Sequence, residues 1–328
     1  MVLFVFRFFV SRQKLTPIAA IVIANLLSFG TLALHAQDTD KPIRVDTELA
    51  VFEVLVEDKN GQPVHGQTIE DFKVLENGKP RQIDFFQPVL SPGRNRPMVI
   101  VFAVDVSGSM TPAEIEKLRG AITGFMDRFA DYESYFSLVS FAMNVKTLQK
   151  FTNKKEELKK SLEKLERDRD GLSTHAFDAT DLAVRMIDRS TPKTLRGRAP
   201  KRAVVLITDG FPVGDTVAPS AVIDRANASG TSVYSIILPS YSVTQRDSRP
   251  VMTLLEASGM MERTGGSSFY AMDNELEPLF RKLAGEISAS YAIAYYPDEL
   301  PEGKRNVVIE SKKGFRVRQN RTSFELKK

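Results

Sequence analysis

Met98-Val-Ile-Val-Phe-Ala-Val-Asp-Val-Ser-Gly-Ser109 begins with seven apolar residues and ends with a carboxylate and two hydroxyls. A continuous apolar run of this length, rich in Val and Ile, predicts an interior strand of a parallel sheet, buried on both faces. A helical pattern follows from Thr111, with a hydroxyl cap and Pro112 at its opening position, so the stretch reads as the first strand–helix step of an α/β unit. Ligands of such sheets gather outside the carboxyl ends of the strands, which is where Asp105, Ser107 and Ser109 stand. Taken alone, Asp-x-Ser-x-Ser reads equally well as a turn leading into the next helix.

Two further segments add to it. Arg202-Ala-Val-Val-Leu-Ile-Thr-Asp-Gly210 is a second strand of the buried type, and it too ends in a carboxylate, Asp209, followed by a turn glycine. Between them, Gly171-Leu-Ser-Thr-His-Ala-Phe-Asp-Ala179 offers Thr174 in a loop before another helical run. Three segments can thus bring two carboxylates and three hydroxyls to one cation. An all-oxygen set of this kind suits Mg²⁺, with Mn²⁺ or Ca²⁺ as substitutes, rather than zinc or copper.

In order and spacing these segments resemble the von Willebrand factor type A domain and its metal-ion-dependent adhesion site. The resemblance implies a doubly wound, mostly parallel α/β sheet. It also implies metal-binding roles for Asp105, Ser107, Ser109, Thr174 and Asp209, with the hydroxyls on the ion and the aspartates mostly on its waters. An acidic group of a protein partner would complete the octahedron. One departure stands in the middle loop, where Leu172-Ser173 replaces the pair of glycines usual before the threonine. Gly66 to Gly78, followed by Ile83-Asp-Phe-Phe86, is similar to the leading region of acidobacterial von Willebrand factor A-related proteins.

Composition limits the function classes. The 328 residues are 42% hydrophobic and 26% charged, enough to bury a large core and more than one module. There is no cysteine, hence no disulfide, thiolate metal site or cysteine nucleophile. The formal charge of +4 arises mostly from Arg7, Arg12 and Lys14 in the first 36 residues; without them 42 basic side chains face 41 acidic ones. So balanced a surface predicts no nucleic-acid binding. The turn after Val104 lacks a phosphate-binding glycine motif, which predicts no nucleotide.

Residues 1–36 read as a signal peptide cut after Ala36, or as an uncleaved membrane anchor, because about 17 apolar residues is the lower limit for spanning a bilayer. Either puts the rest in the periplasm or outside the cell. Short strands and turn signals over residues 43–90 predict a small β module, with Phe72, Phe85 and Phe86 in its core. Residues 97–288 alternate strands and helices, including single helices over Lys154–Arg167 and Val251–Thr264. Residues 289–328 read as a terminal segment whose strands Asn306–Ser311 and Phe315–Gln319 form a hairpin packed on the first module, Arg316, Arg318 and Arg321 facing outward.

The function these residues predict is a non-enzymatic, exported protein-binding module. No serine-hydrolase elbow or His-Glu-x-x-His motif is present, and His175 is read as a surface or packing residue rather than a base. Two other readings stay open: a metal-dependent hydrolase using the same cation, and a structural envelope protein whose ion only pins the loops.

Overall fold

The computed structural model describes residues 49–90, 95–129, 133–168, 173–192, 194–195, 197–238, 252–271, 276–298 and 302–326; the leader at 1–36 lies outside them. In chain order the strands are β1 (Ala50–Glu57), β2 (Phe72–Glu76), β3 (Lys79–Arg81), β4 (Phe85–Pro88), β5 (Met98–Asp105), β6 (Tyr135–Phe141), β7 (Val145–Thr152), β8 (Lys201–Thr208), β9 (Thr231–Ile237) and β10 (Ser268–Tyr270). They are followed by β11 (Tyr291–Tyr295), β12 (Gly303–Ser311), β13 (Arg316–Gln319) and β14 (Ser323–Leu326). The helices are α1 (Pro112–Arg128), α2 (Lys155–Leu162), α3 (Ala176–Ser190), α4 (Pro219–Ser229), α5 (Leu254–Ala257), α6 (Met260–Arg263) and α7 (Leu276–Ser288).

Six strands form the central sheet in the order β10-β9-β8-β5-β6-β7, all neighbours parallel except the β6–β7 pair. The first strand of this domain, β5, is flanked by β8 and β6, and every one of its residues is buried. Its side chains alternate: Ile100, Phe102 and Val104 enter one core with α1 and α7, while Val99, Val101 and Ala103 enter another with α3, α4 and α6. Phe102 packs edge-on to Phe125, with ring centroids 5.6 Å apart.

Two antiparallel sheets accompany this domain, β13-β1-β11-β4 and β14-β12-β2-β3, and share one core around Phe52, Phe72, Tyr291, Ile293, Val307 and Ile309. Phe86 packs against that core from a half-buried position, whereas Phe85, expected there too, is half-buried outside it. Asn77 and Gly78, both with positive φ (49° and 80°), turn the chain between β2 and β3 as a primed hairpin requires. These sheets join segments from both ends of the described chain, since β1 pairs with β11 and β13 and β2 pairs with β12.

The structure departs from expectation in four further places. β12 and β13 do not form a hairpin; β12 lies between β14 and β2, and β13 pairs with β1, so Lys312–Gly314 turns between two sheets. Two of the arginines expected to face outward turn inward: the Arg318 guanidinium lies 2.6 Å from Glu286 of α7 and 3.2 Å from Glu57, and Arg321 lies over the Phe52 ring and donates to the Val51 carbonyl (2.8 Å). The helix over Lys154–Arg167 stops at Leu162, because Arg119 of α1 donates to the carbonyls of Leu162, Glu163 and Leu165 and satisfies its end. The helix over Val251–Thr264 breaks into α5 and α6 at Gly259, whose φ of 65° is incompatible with helix.

Candidate metal centre

Asp105 is the last residue of β5 and is completely buried. Its Oδ1 accepts from the Ser107 amide (2.8 Å), and its Oδ2 accepts from the Thr208 hydroxyl at the end of β8 (2.8 Å). Thr208 is a functional neighbour that the sequence reading missed. Its only signal was its position beside Asp209 at a strand end, and its hydroxyl also accepts from the Gly210 amide (3.2 Å). Burial pushes the Asp105 carboxyl up to about 6; the nearby Asp209 charge adds to the rise, against hydrogen bonds from Ser107 and Thr208.

The first loop turns tightly, with the Met110 amide donating to the Ser107 carbonyl (3.1 Å). That turn sets the Ser107 and Ser109 hydroxyls 3.0 Å apart, Ser107 buried and Ser109 exposed. Thr111 then caps α1, accepting from the Glu114 amide while Glu114 Oε2 accepts from the Thr111 amide (2.7 Å). Arg167 reaches the same loop and donates to the Gly108 carbonyl.

Backbone bonds draw the other loops to this end of the sheet. The Val106 amide donates to the Phe141 carbonyl (2.9 Å), and the next carbonyl, of Ala142, accepts from the His175 amide (3.2 Å). Thr174 exchanges two backbone bonds with Val213 (3.0 and 2.9 Å), four residues beyond Asp209. Asp209 is half-buried, and its Oδ1 accepts from the Phe211 amide (3.1 Å). Gly210 has a φ of 88° and abuts Thr253, so a side chain there would collide with the start of α5.

The structure therefore joins Ser107 to Ser109 directly, couples Asp105 to Asp209 through space, and ties Thr174 to the Asp209 loop through the backbone. Among the described residues the Thr174 hydroxyl bonds to none of the other four. The donor set fits a hard divalent ion: a buried carboxylate beside a second one, with hydroxyl and amide partners, while Arg167 among the described residues is engaged by the Gly108 carbonyl.

A second cluster, also missed, adjoins Thr174. His175 Nδ1 lies 2.9 Å from Asp178 Oδ2, and ligand atoms of His175, Asp178 and Asp215 all lie within 4.8 Å of one another. A Cβ placed on Gly214 would come 2.9 Å from His175 Nε2, so that nitrogen faces the third loop.

The von Willebrand factor type A domain model matches residues 100–282. The chain belongs to this family. The chain resembles part of the mouse inter alpha-trypsin inhibitor heavy chain 4, at 23% identity over 210 residues, 63% of this chain. The chain spans only about a fifth (22%) of that relative's length. Among solved structures, an aerotolerance-related membrane protein of Bacteroides fragilis aligns at 21% identity and TM-score 0.44, over 58% of this chain and 98% of its own. Proximal thread matrix protein 1 of the mussel byssus, solved with a zinc-occupied MIDAS motif, aligns at 14% identity and TM-score 0.47, over 62% and 49% respectively.

Proposed function

We propose that this chain is an exported, non-enzymatic binding module that grips a carboxylate of a protein partner through Mg²⁺. The observation that carries the reading is Asp105, a buried carboxylate with hydroxyl and amide partners beside Asp209, at the edge where three loops meet. Ser107, Ser109 and Thr174 would hold the ion, and Asp105 and Asp209 would orient its waters. When bound, the ion supplies a Lewis-acidic vertex, kept electrophilic by neutral hydroxyl ligands, to an incoming Asp or Glu. His175 faces Gly214 and is engaged by Asp178, so it is not aimed at Ser107 as a base would be.

A protein partner is favoured by the surroundings of the site. Seven large apolar side chains are exposed among the described residues, and four of them border these loops: Met143, Val213, Met252 and Leu254, at 50–72% exposure. Val213 pairs with Thr174, Met143 follows the Ala142 carbonyl that His175 uses, and Met252 and Leu254 flank Thr253 against Gly210. Exposed large apolar side chains gathered at one edge are the kind of surface that a protein partner covers.

Within this reading, residues 97–288 are the binding domain, residues 43–90 and 289–328 supply the accessory sheets, and residues 1–36 direct export. No helix among the described residues is long and apolar enough to cross a membrane. The test is a Mn²⁺ titration followed by electron paramagnetic resonance, with Mg²⁺ as competitor, on wild type and Asp105→Ala. An envelope-fraction pull-down with Mg²⁺ or chelator accompanies it. One site that Mg²⁺ competes for and Asp105→Ala abolishes is expected; a wild type that binds neither ion at millimolar concentration sinks the reading.

A further inference from the structure

We propose that Asp178 and Asp215 are positioning residues, a reciprocal clamp that sets the Asp209 loop against Thr174 and thereby determines how tightly the cation is held. This rests on the cation-binding reading above. Asp178 is the third residue of α3, and its Oδ1 accepts from the amides of Val217 (2.8 Å) and Thr216 (3.0 Å) and from the Thr216 hydroxyl (3.1 Å). In return Asp215 Oδ1 accepts from the Asp178 amide (2.8 Å). Each segment thus satisfies backbone donors that the other leaves open.

The arrangement is unusual in its source. A helix normally takes its cap from the residue just before it. Here that residue is His175, which makes no side-chain cap bond to α3 and gives its imidazole to Asp178 instead. The cap comes from Asp215, on another loop, so the first turn of α3 is completed only when residues 209–217 lie upon it. Two backbone bonds between Thr174 and Val213 make a second attachment a few residues away. Gly214, with a φ of 89° and no room for a Cβ beside His175, closes the gap between the two attachments. The segment carrying Asp209 is therefore anchored at β8 on one side and at the clamp on the other.

The same three side chains are close enough to share a cation of their own. Asp178 argues for the clamp, because both of its oxygens are already engaged by Thr216, Val217 and His175.

The experiment measures Mn²⁺ dissociation constants well below the melting temperature, and melting temperatures separately. The proteins are wild type, Asp178→Ala, Asp215→Ala, the double variant, and Asp215→Ala combined with His175→Ser, which gives α3 a cap of its own. Each single variant is expected to bind Mn²⁺ about tenfold more weakly or worse, and the double variant to lose little more than the worse single one, since both act through one clamp. The His175→Ser addition should recover melting temperature without recovering affinity. Unchanged affinity in the single variants, with a wild type that does bind Mn²⁺, overturns the clamp, and so does recovery of affinity by His175→Ser. A cation equivalent that survives Asp105→Ala and is removed by Asp215→Ala also overturns it, because the cluster would then be a site in itself. A wild type without any Mn²⁺ site fails at the earlier step, the cation reading, and the clamp falls with it.

Discussion

Glu53 and Asp105 are both buried carboxylates at strand positions, and the protein treats them in opposite ways. Glu53, on β1, sits against Arg96 just ahead of β5 and against Lys201 at the start of β8, with Arg96 Nη1 at 3.1 Å and Lys201 Nζ at 3.4 Å. Burial raises its carboxyl, but the two cations outweigh that and hold it below the ordinary glutamate value. Asp105, at the other end of β5, has hydroxyl and amide donors and a second carboxylate nearby among the described residues, and its carboxyl rises. One end of the sheet neutralises its own charge and joins the accessory sheets to the α/β domain. The other end keeps charge that an external cation can use.

Acid-to-amide substitutions at the two sites sharpen this contrast. Glu53→Gln leaves Arg96 and Lys201 buried without their counter-charge and should cost about 3–5 kcal/mol, read by urea denaturation. The stability that Glu53 contributes is present above its ordinary value near 4.5 and is lost as pH falls through the lower folded value. That acid-side loss should be absent from Glu53→Gln; an unchanged profile would mean that the junction does not depend on the ion group.

Saturating Mg²⁺ comes next in size. At a hundred times its dissociation constant it should stabilise wild type by about 2.7 kcal/mol and leave Asp105→Ala unaffected. In chelator, Asp105→Asn should stabilise the protein at pH 7 by about 1–3 kcal/mol, because it removes a charge that folding disfavours. Destabilisation of similar size would erase the distinction between the two ends. The smallest expected effect on stability is at the rim, where Leu254→Ser and Met252→Ser should change stability by less than about 0.5 kcal/mol. The same changes should weaken capture of a carboxylate-bearing partner severalfold, measured by surface plasmon resonance once a partner is in hand.

How legible each feature was depends on how local its cause is. The runs at Met98–Val104 and Ala203–Thr208 could be read as buried strands because residues that are apolar on both faces have nowhere else to go. Asp105 and Asp209 stood out because each ends such a run. Thr208 did not, since its contact with Asp105 spans 103 residues. Asp178 and Asp215 looked like an ordinary helical aspartate and a loop aspartate, and their exchange of caps appears only when α3 and the third loop meet. Arg318, in an alternating strand, read as solvent-facing, and nothing local to Arg96, ahead of β5, marks it as an ion-pair partner. Their burial follows from carboxylates brought by β1 and α7.

Local chemistry in the chain itself therefore determined the α/β alternation, the capped start of α1, the hairpin turn at Asn77-Gly78 and the presence of oxygen donors at strand ends. Tertiary structure alone decided which strands share a sheet, as in the separation of β12 from β13, which charges are neutralised, and which loop caps which helix. The physical reason is range. Periodicity, capping and turn preferences act within a few residues, whereas desolvation of a charge depends on every group packed around it, wherever those groups lie in the sequence.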